Sequence, residues 1–222
     1  MSIIVEDTHI SKWVRDTGRL DHDQNTLPIL KPFIKPGDWV IDGGAFIGDH
    51  TIAYLDWVGP EGKVFAFEPS LQAFTCLTAN CPKAVRRCCG LSDVNHKAKQ
   101  VSDAANVGAS YLVKDESGDD CITIDSLNLE RLDFIKLDIE GWEYRALNGA
   151  YETIFKHRPV MCLEINRAAL ARQRERTEDV YNLLFSWRYV FQPIWPTLKI
   201  DDEQLDILCV PSERYLNNYD IH

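Results

Sequence analysis

The chain predicts an α/β fold on a mostly parallel sheet, and three observations carry that expectation. Short apolar runs alternate with helical stretches, the pattern of βαβ units. The runs are apolar throughout, as strands buried on both faces are. Several of them end in acids or glycines, at the edge where open parallel sheets bind their ligands.

The first 35 residues are mixed and polar, with a short helix expected near residues 10–15 and prolines at Pro28, Pro32 and Pro36. Trp39-Val40-Ile41 is the first buried strand and runs into Asp42-Gly43-Gly44, and a helix follows over 51–57. Gly59-Pro60-Glu61-Gly62 turns the chain into a second strand, Val64-Phe65-Ala66-Phe67, with a helix over 70–80 behind it. Residues 84–89 read as a third strand. The polar stretch 93–120 holds strand candidates at 99–101 and 110–113, and Cys121-Ile122-Thr123-Ile124 is another. Phe134 to Ile139 is a strand ending in acids, and a helix from Trp142 stops at Gly149. Val160-Met161-Cys162-Leu163 ends in Glu164-Ile165-Asn166. A helix over 178–187 and strands at 189–191 and 207–210 complete the domain. We expect one domain over residues 36–222, with residues 1–35 as an N-terminal extension or cap.

Composition excludes several classes. In 222 residues, 45% are apolar and 26% charged, a balance that supports a real core and argues against a disordered or fibrous chain. The net charge of -10 repels phosphate backbones, so nucleic-acid partners are not expected. No apolar run is long enough to span a membrane, and Met1 to Ile10 lacks the pattern of a secretory signal. Seven cysteines, an odd number without zinc spacing, point to thiols in a reducing cytosol. His22, His50, His96 and His157 are scattered, and only His50 falls near the expected cleft. Oligomeric state has no signal.

The strand ends line up a polar set: Asp42, Glu68, Ser92-Asp93, Asp138-Ile139-Glu140 and Glu164-Ile165-Asn166. Asp42-Gly43-Gly44-Ala45-Phe46-Ile47-Gly48 places small residues where backbone turns sharply against a ligand. Glu68, 20 residues after Gly48, stands where a carboxylate grips ribose hydroxyls. A nucleoside-bearing ligand follows, and two are open. Read as Gly43-x-Ala45-x-x-Gly48, the loop is a degraded dinucleotide fingerprint, which would make the chain an NAD(P)-dependent oxidoreductase. Read as Asp42-x-Gly44-x-x-x-Gly48, it sets an acid at the strand end, which repels phosphate and attracts a cation. S-adenosylmethionine is cationic at sulfur and lacks phosphate, so charge favours it. Thr51, in the first helical turn, adds a hydroxyl.

Val40 to Gly48, followed by Phe67-Glu68-Pro69-Ser70, resembles class I methyltransferases. Lys136-Leu137-Asp138-Ile139-Glu140-Gly141-Trp142-Glu143, with Ala146 to Ala150 behind it and Thr123-Ile124-Asp125-Ser126-Leu127 before it, is similar to the signature of the FkbM family. The resemblance runs from Lys35 to Asn166. It implies a Rossmann-like domain with a central, mostly parallel seven-stranded sheet and helices on both faces, and S-adenosylmethionine-dependent O-methylation of a sugar, glycolipid precursor or secondary metabolite. It places the donor on Asp42, Gly44, Ala45, Phe46, Gly48, Thr51, Glu68, Pro69, Ser92, Asp93 and Asp138. Phe46 stands where the family commonly has Asn, and Asp49-His50 where aromatic residues are common. The non-enzymatic alternative is a methyltransferase-like module that keeps the pocket for binding alone.

Methyl transfer to oxygen needs an aligned acceptor and a group to take its proton. Lys136, Asp138 and Glu140 alternate along one strand and share a face. Asp138 is expected to hold the acceptor or the donor's cationic end, Glu140 to act as base, and Lys136 to favour ionised carboxylates nearby; a Lys136–Glu140 ion pair is the plainer expectation. Asp138, Glu164 and Asn166 offer three oxygens to a hard cation such as Mg²⁺. The segment 167–176 is expected as a solvated helix face, or as a flap over the cleft.

Overall fold

The structure, a computed structural model, describes residues 1–5, 7, 10–20, 23–103 and 106–214. His22 lies outside the described residues. Helices α1 (Ile10–Thr17) and α2 (Thr26–Leu30) precede β1 (Trp39–Gly43), α3 (Thr51–Val58), β2 (Lys63–Phe67), α4 (Leu71–Asn80) and β3 (Val85–Arg87). Four strands follow, β4 (Gly90–Leu91), β5 (His96–Asp103), β6 (Asn106–Lys114) and β7 (Asp119–Ile122), then β8 (Phe134–Leu137), α5 (Glu143–Asn148) and α6 (Tyr151–His157). The last elements are β9 (Val160–Asn166), α7 (Arg167–Arg172), α8 (Thr177–Ser186), β10 (Tyr189–Pro193) and β11 (Gln204–Pro211).

Seven strands form the main sheet in the order β10-β11-β9-β8-β1-β2-β3. Neighbours from β3 to β9 pair in parallel, while β11 runs antiparallel to both β9 and β10. This is the mostly parallel seven-stranded sheet that the sequence leads one to expect. Strand alternation splits its core between two faces. Val40, Phe134 and Val160 pack on one side with Tyr54 of α3 and Leu27 and Leu30 of α2. Their neighbours Ile41, Ile135 and Met161 pack on the other with Ala146, Ile154 and Leu184 of α5, α6 and α8. Order along the sheet reverses between β1 and β8, so the crevice opens beyond those two strand ends.

The stretch 93–120 does more than connect. β4, β7, β5 and β6 form a second, four-stranded sheet, with β5 and β6 an antiparallel hairpin. Its buried Ala98, Leu112 and Cys121 pack on Trp142, whose Nε1–H donates to the Leu112 carbonyl at 3.0 Å. That hairpin was legible only as isolated strand candidates, because its residues are mostly polar and its few apolar ones need Trp142 as a partner. Helix α6 was not anticipated. The expected strand at 121–124 is shifted toward the N-terminus, since Ile124 leads into a short turn of 3₁₀ helix.

Ile135 is fully buried in the middle of the sheet. Ile135→Ala removes its side chain where neighbours on both strands restrict collapse. Urea denaturation is expected to show a loss of about 2–5 kcal/mol.

Candidate active site

A cavity of about 210 Å³ opens at the β1/β8 crossover. Its wall begins at the turn after β1. Gly44 has φ +77°, and a Cβ there would collide with the Asp138 carbonyl, so only glycine lets this turn close on the end of β8. The Gly44 and Ala45 amides both donate to the Phe67 carbonyl at 3.0 Å, tying the turn to β2 as well. Phe46 adopts φ +45°, a strained value for a side-chain-bearing residue, and donates its N–H to Glu68 Oε2 at 3.0 Å. Ser70 N–H donates to the other Glu68 oxygen at 2.7 Å. Glu68 is therefore fixed in place with a lone pair left on each oxygen. Burial pushes its carboxyl up to about 7, helped by the charges of Asp42 and Asp138 and against the pull of the two amides.

The opposite wall is the motif that follows β8. Lys136 Nζ pairs with Asp138 Oδ2 at 3.0 Å. Burial alone would lower the Lys136 pKa, yet Asp138, Asp42 and Asp49 outweigh it, and the ammonium is held firmly charged. Burial would likewise raise Asp138, but Lys136 outweighs it and keeps the carboxyl below its usual range. Glu140 sits at φ +57°, the left-handed region, with Gly141 behind it at φ +99°. Burial and the Asp138 charge raise the Glu140 carboxyl to about 7, and Arg172 opposes them. Glu143, at the start of α5, accepts the N–H groups of Ile139 at 2.9 Å and Gly141 at 3.4 Å, and so locks the motif's backbone. The hairpin supplies the roof, through the cross-strand pair Gln100 and Leu112. From the N-terminal segment come Ile10 and Asp23. Asp23 Oδ2 lies 3.5 Å from His50 Nε2, and the other ring nitrogen of His50 faces the Tyr54 hydroxyl at 3.1 Å.

Residues 42–191, more than half of the chain, match the methyltransferase FkbM domain. The chain belongs to the FkbM methyltransferase family. The solved structures it resembles include a methyltransferase FkbM from Methylobacillus flagellatus, at 20% identity and a TM-score of 0.53 over 78% of this chain. The match spans 43% of that relative's length. A SAM-dependent O-methyltransferase from Thermotoga maritima aligns at 12% identity and a TM-score of 0.54, over 89% of this chain and 69% of its own. An rRNA methylase from Streptococcus thermophilus aligns at 11% identity and a TM-score of 0.50, over 87% of this chain and 96% of its own. These likenesses concern the fold. Among curated proteins no sequence matches. Family membership sets aside the nicotinamide-dependent oxidoreductase.

In this FkbM domain the cleft collects Gly44, Phe46, Glu68, Pro69, Lys136, Asp138 and Glu140 from the residues singled out in the sequence. Others stand elsewhere. Asp42 lies beneath the floor, fully buried, accepting the Thr51 hydroxyl at 2.5 Å. Thr51 is thereby a partner of Asp42 and does not line the cavity. Ala45 faces Ala66 and Leu77 in the core, and a Cβ at Gly48 would press on Cys81 Sγ, so Gly48 serves the packing of α4. Ser92 and Asp93 bond to each other at 2.9 Å under Gly149, whose hydrogen meets the Ser92 carbonyl region. Cys89 and, on β4, Gly90 and Leu91 line the cleft in their place. Lys136 pairs with Asp138, not with Glu140, whose counter-charge is Arg172 at 3.6 Å. The Phe46 ring packs with Ile4, Val14 and Leu20, which gives the aromatic residue a purpose: it anchors the N-terminal segment.

The expected metal set also changes. Asn166 caps α7, its Oδ1 accepting the Ala169 N–H at 3.0 Å. Oxygens of Asp138, Glu140 and Glu164 lie within 4.8 Å of one another instead. Asp138 pairs with Lys136, and burial and the Asp138 charge push the Glu164 carboxyl well above the usual carboxylate range. Glu164 Oε1 accepts from Gln204 Nε2 at 2.7 Å, while its buried Oε2 has no hydrogen-bond partner among the described residues.

Gln100, Leu112, Asp23 and the Cys89–Leu91 run carried no sequence signal for the site, since they reach it only through tertiary packing, whereas Trp142 lies in the stretch similar to the FkbM signature. Glu143 had one, its place at the third position after Glu140 where a helix begins.

Glu68, Glu140 and Glu143 each rise from an ordinary 4.5 to about 7. Their folded-state pKa values are raised, so the stability they carry is full below about 4.5 and is lost as pH rises through 7. Burial and Lys136 lower His50, but Asp23, Asp49 and Asp42 outweigh them, which adds a loss of the same sign. Ligand-free protein is expected to melt at a lower temperature at pH 8.5 than at pH 6, and Glu68→Gln to recover part of the difference at pH 8.5. A melting temperature that climbs over this interval would contradict the site's electrostatics.

Proposed function

We propose that the chain is an S-adenosylmethionine-dependent O-methyltransferase acting on a hydroxyl of a sugar, a glycolipid precursor or a secondary metabolite. The observation that carries the reading is Glu140: a carboxylate on the cleft wall, beside Asp138, whose proton affinity burial has brought to about 7. A base works best when its pKa is near the working pH.

Fit to the donor rests on the chain's own groups. Gly44 leaves room that any side chain would fill, and Glu68 offers two lone pairs to a pair of ribose hydroxyls. Phe67, Pro69 and Leu91 supply apolar walls for a flat base. The surplus of carboxylates around the cavity favours a cation. When bound, S-adenosylmethionine supplies an activated methyl group, the carbon–sulfur electron pair returning to sulfur. Asp138, kept ionised by Lys136, orients the acceptor or the donor's ammonium. Glu140 takes the hydroxyl proton as the acceptor oxygen becomes nucleophilic. Gln100 and Leu112 of the hairpin and Ile10 of the N-terminal segment line the cavity, where they would flank a bound acceptor. We take residues 1–35 as a cap on a domain of residues 36–222, and a reducing cytosol, from the odd number of cysteines, as the working compartment. Among the described residues no helix is long and apolar enough to cross a membrane.

Calorimetry is expected to show S-adenosylmethionine binding, weakened about 10- to 100-fold in Glu68→Gln through loss of charge-assisted hydrogen bonds. Binding of NAD with none of S-adenosylmethionine would reverse the reading. With a panel of methyl glycosides and phenols as acceptors, release of S-adenosylhomocysteine should fall about 10²- to 10⁴-fold in kcat for Glu140→Gln. Turnover should also rise with pH through about 7, where Glu140 ionises. Good donor binding without turnover on any acceptor would instead support the non-catalytic module.

A further inference from the structure

A second cavity, of about 710 Å³, lies where the N-terminal segment crosses α3, and it shares no lining residue with the cleft. It is the larger of the two and falls within the size range of small-molecule sites. Packing explains why it exists. Leu20, past the end of α1, joins the cluster of Ile4, Val14 and Phe46, whereas Leu27 and Leu30 of α2 join that of Tyr54 and Val58. The two halves of the segment are thus anchored in different clusters, and the seam between them stays unfilled over α3. Between them Asp23 turns away, to His50 of the cleft.

One face of α3 forms the floor. Ile52, Ala53, Asp56 and Trp57 recur at three- and four-residue spacing and all line the cavity. Leu20, Leu27 and Pro28 add apolar walls. Trp57 leans on Tyr54, ring centroids 5.6 Å apart, yet is only partly buried. Covering that indole and its aliphatic neighbours with an apolar body would remove their surface from water. Ile52 to Trp57 spans about 7.5 Å of helix, which suits a body of medium length.

The cations sit beside this apolar floor. Gly18, at φ +69°, ends α1 with its N–H on the Val14 carbonyl at 2.9 Å, and past it Leu20 is buried while Arg19 stays exposed. Arg19 Nη2 donates to Gln24 Oε1 at 3.1 Å, and both residues line the cavity. Lys31, at the C-terminal end of α2, lines it too, and its ammonium has no partner among the described residues. Arg19 and Lys31 against Asp56 leave one positive side-chain charge around the cavity, on a chain whose net charge is -10. A single anionic group on an apolar body matches that pattern. A cation would be repelled, and a phosphate monoester would bring nearly two charges to meet one.

We propose that this cavity binds a medium-chain carboxylate, its alkyl body on Trp57 and Leu27 and its carboxylate on Lys31. The site is separate from the reaction proposed above and stands or falls without it.

The test follows the indole N–H signals of the ¹⁵N-labelled full chain by NMR, with that of Trp57 identified by its loss in Trp57→Phe. Octanoate is expected to shift the Trp57 signal saturably, while octanol and octyltrimethylammonium at the same concentrations leave it in place. Lys31→Glu should raise the octanoate midpoint about 5- to 10-fold, as an exposed ion pair is replaced by repulsion. Lys31→Gln, which removes the charge without reversing it, should raise it about 2- to 5-fold. Lys31 is exposed, so neither change disturbs the core. A Trp57 signal that octanoate does not move, or that octanol or octyltrimethylammonium moves as readily, overturns the proposal. A midpoint unchanged in both Lys31 variants overturns it as well, and octyl phosphate binding more tightly than octanoate removes the carboxylate assignment.

Discussion

The turn after β1 approaches the end of β8 so closely that no side chain fits between them. Gly44, at φ +77°, faces the Asp138 carbonyl, and the Asp138 N–H donates back to the Gly43 carbonyl at 3.1 Å. This contact holds the loop after β1 and the motif after β8 as one rim at the point where strand order reverses. Every other feature of the cleft is placed relative to it. Glu68 is fixed through the Phe46 amide of the same loop, and Glu140 through the Glu143 carboxylate of the same motif. A looser approach would let the two walls drift by more than a methyl transfer tolerates.

Around that rim the chain accumulates negative charge and spends few cations on it. Lys136 neutralises Asp138 from within the sheet, His50 answers Asp23, and Arg172 answers Glu140. Among the described residues Glu68, Glu143 and Glu164 have no such partner, and they hold their protons more tightly than carboxylates in water. This surplus of carboxylates favours a cation in the cleft. The same burial that strains the carboxylates brings a candidate base close to neutral pH. Affinity for a positively charged nucleoside and proton uptake from a hydroxyl would have a single physical origin.

Three pieces outside the strand ends finish the enclosure. The N-terminal segment is anchored by the Phe46 ring and contributes Ile10 and Asp23. The hairpin contributes Gln100 and Leu112, tied down by Trp142, and α7 contributes Arg172. Each brings residues to the cleft or its rim that the strands themselves do not supply. The N-terminal segment is held by packing and α7 by side-chain contacts, whereas the hairpin is laddered to β7 and tied to the motif through Trp142.

The sheet, its parallel sense and the importance of the turn after β1 and of the motif after β8 were legible in the sequence, because local patterns encode them. Continuous apolar runs demand burial on both faces, and Gly44 and Gly141 mark places where backbone must come close. Which polar residues face the ligand was not legible to the same degree. Asp42, Thr51, Ser92 and Asp93 stand at strand ends or helix starts yet turn to one another or to the core, since orientation depends on neighbours far along the chain. Asn166 is consumed by a helix cap that only its folded context creates. The amino-acid order by itself determined the scaffold and where along it the chemistry should lie, for those follow from hydrophobic period and glycine geometry. Only the tertiary structure decided which carboxylates are paired, which are buried alone and which cation meets Glu140, because charge and desolvation act through space.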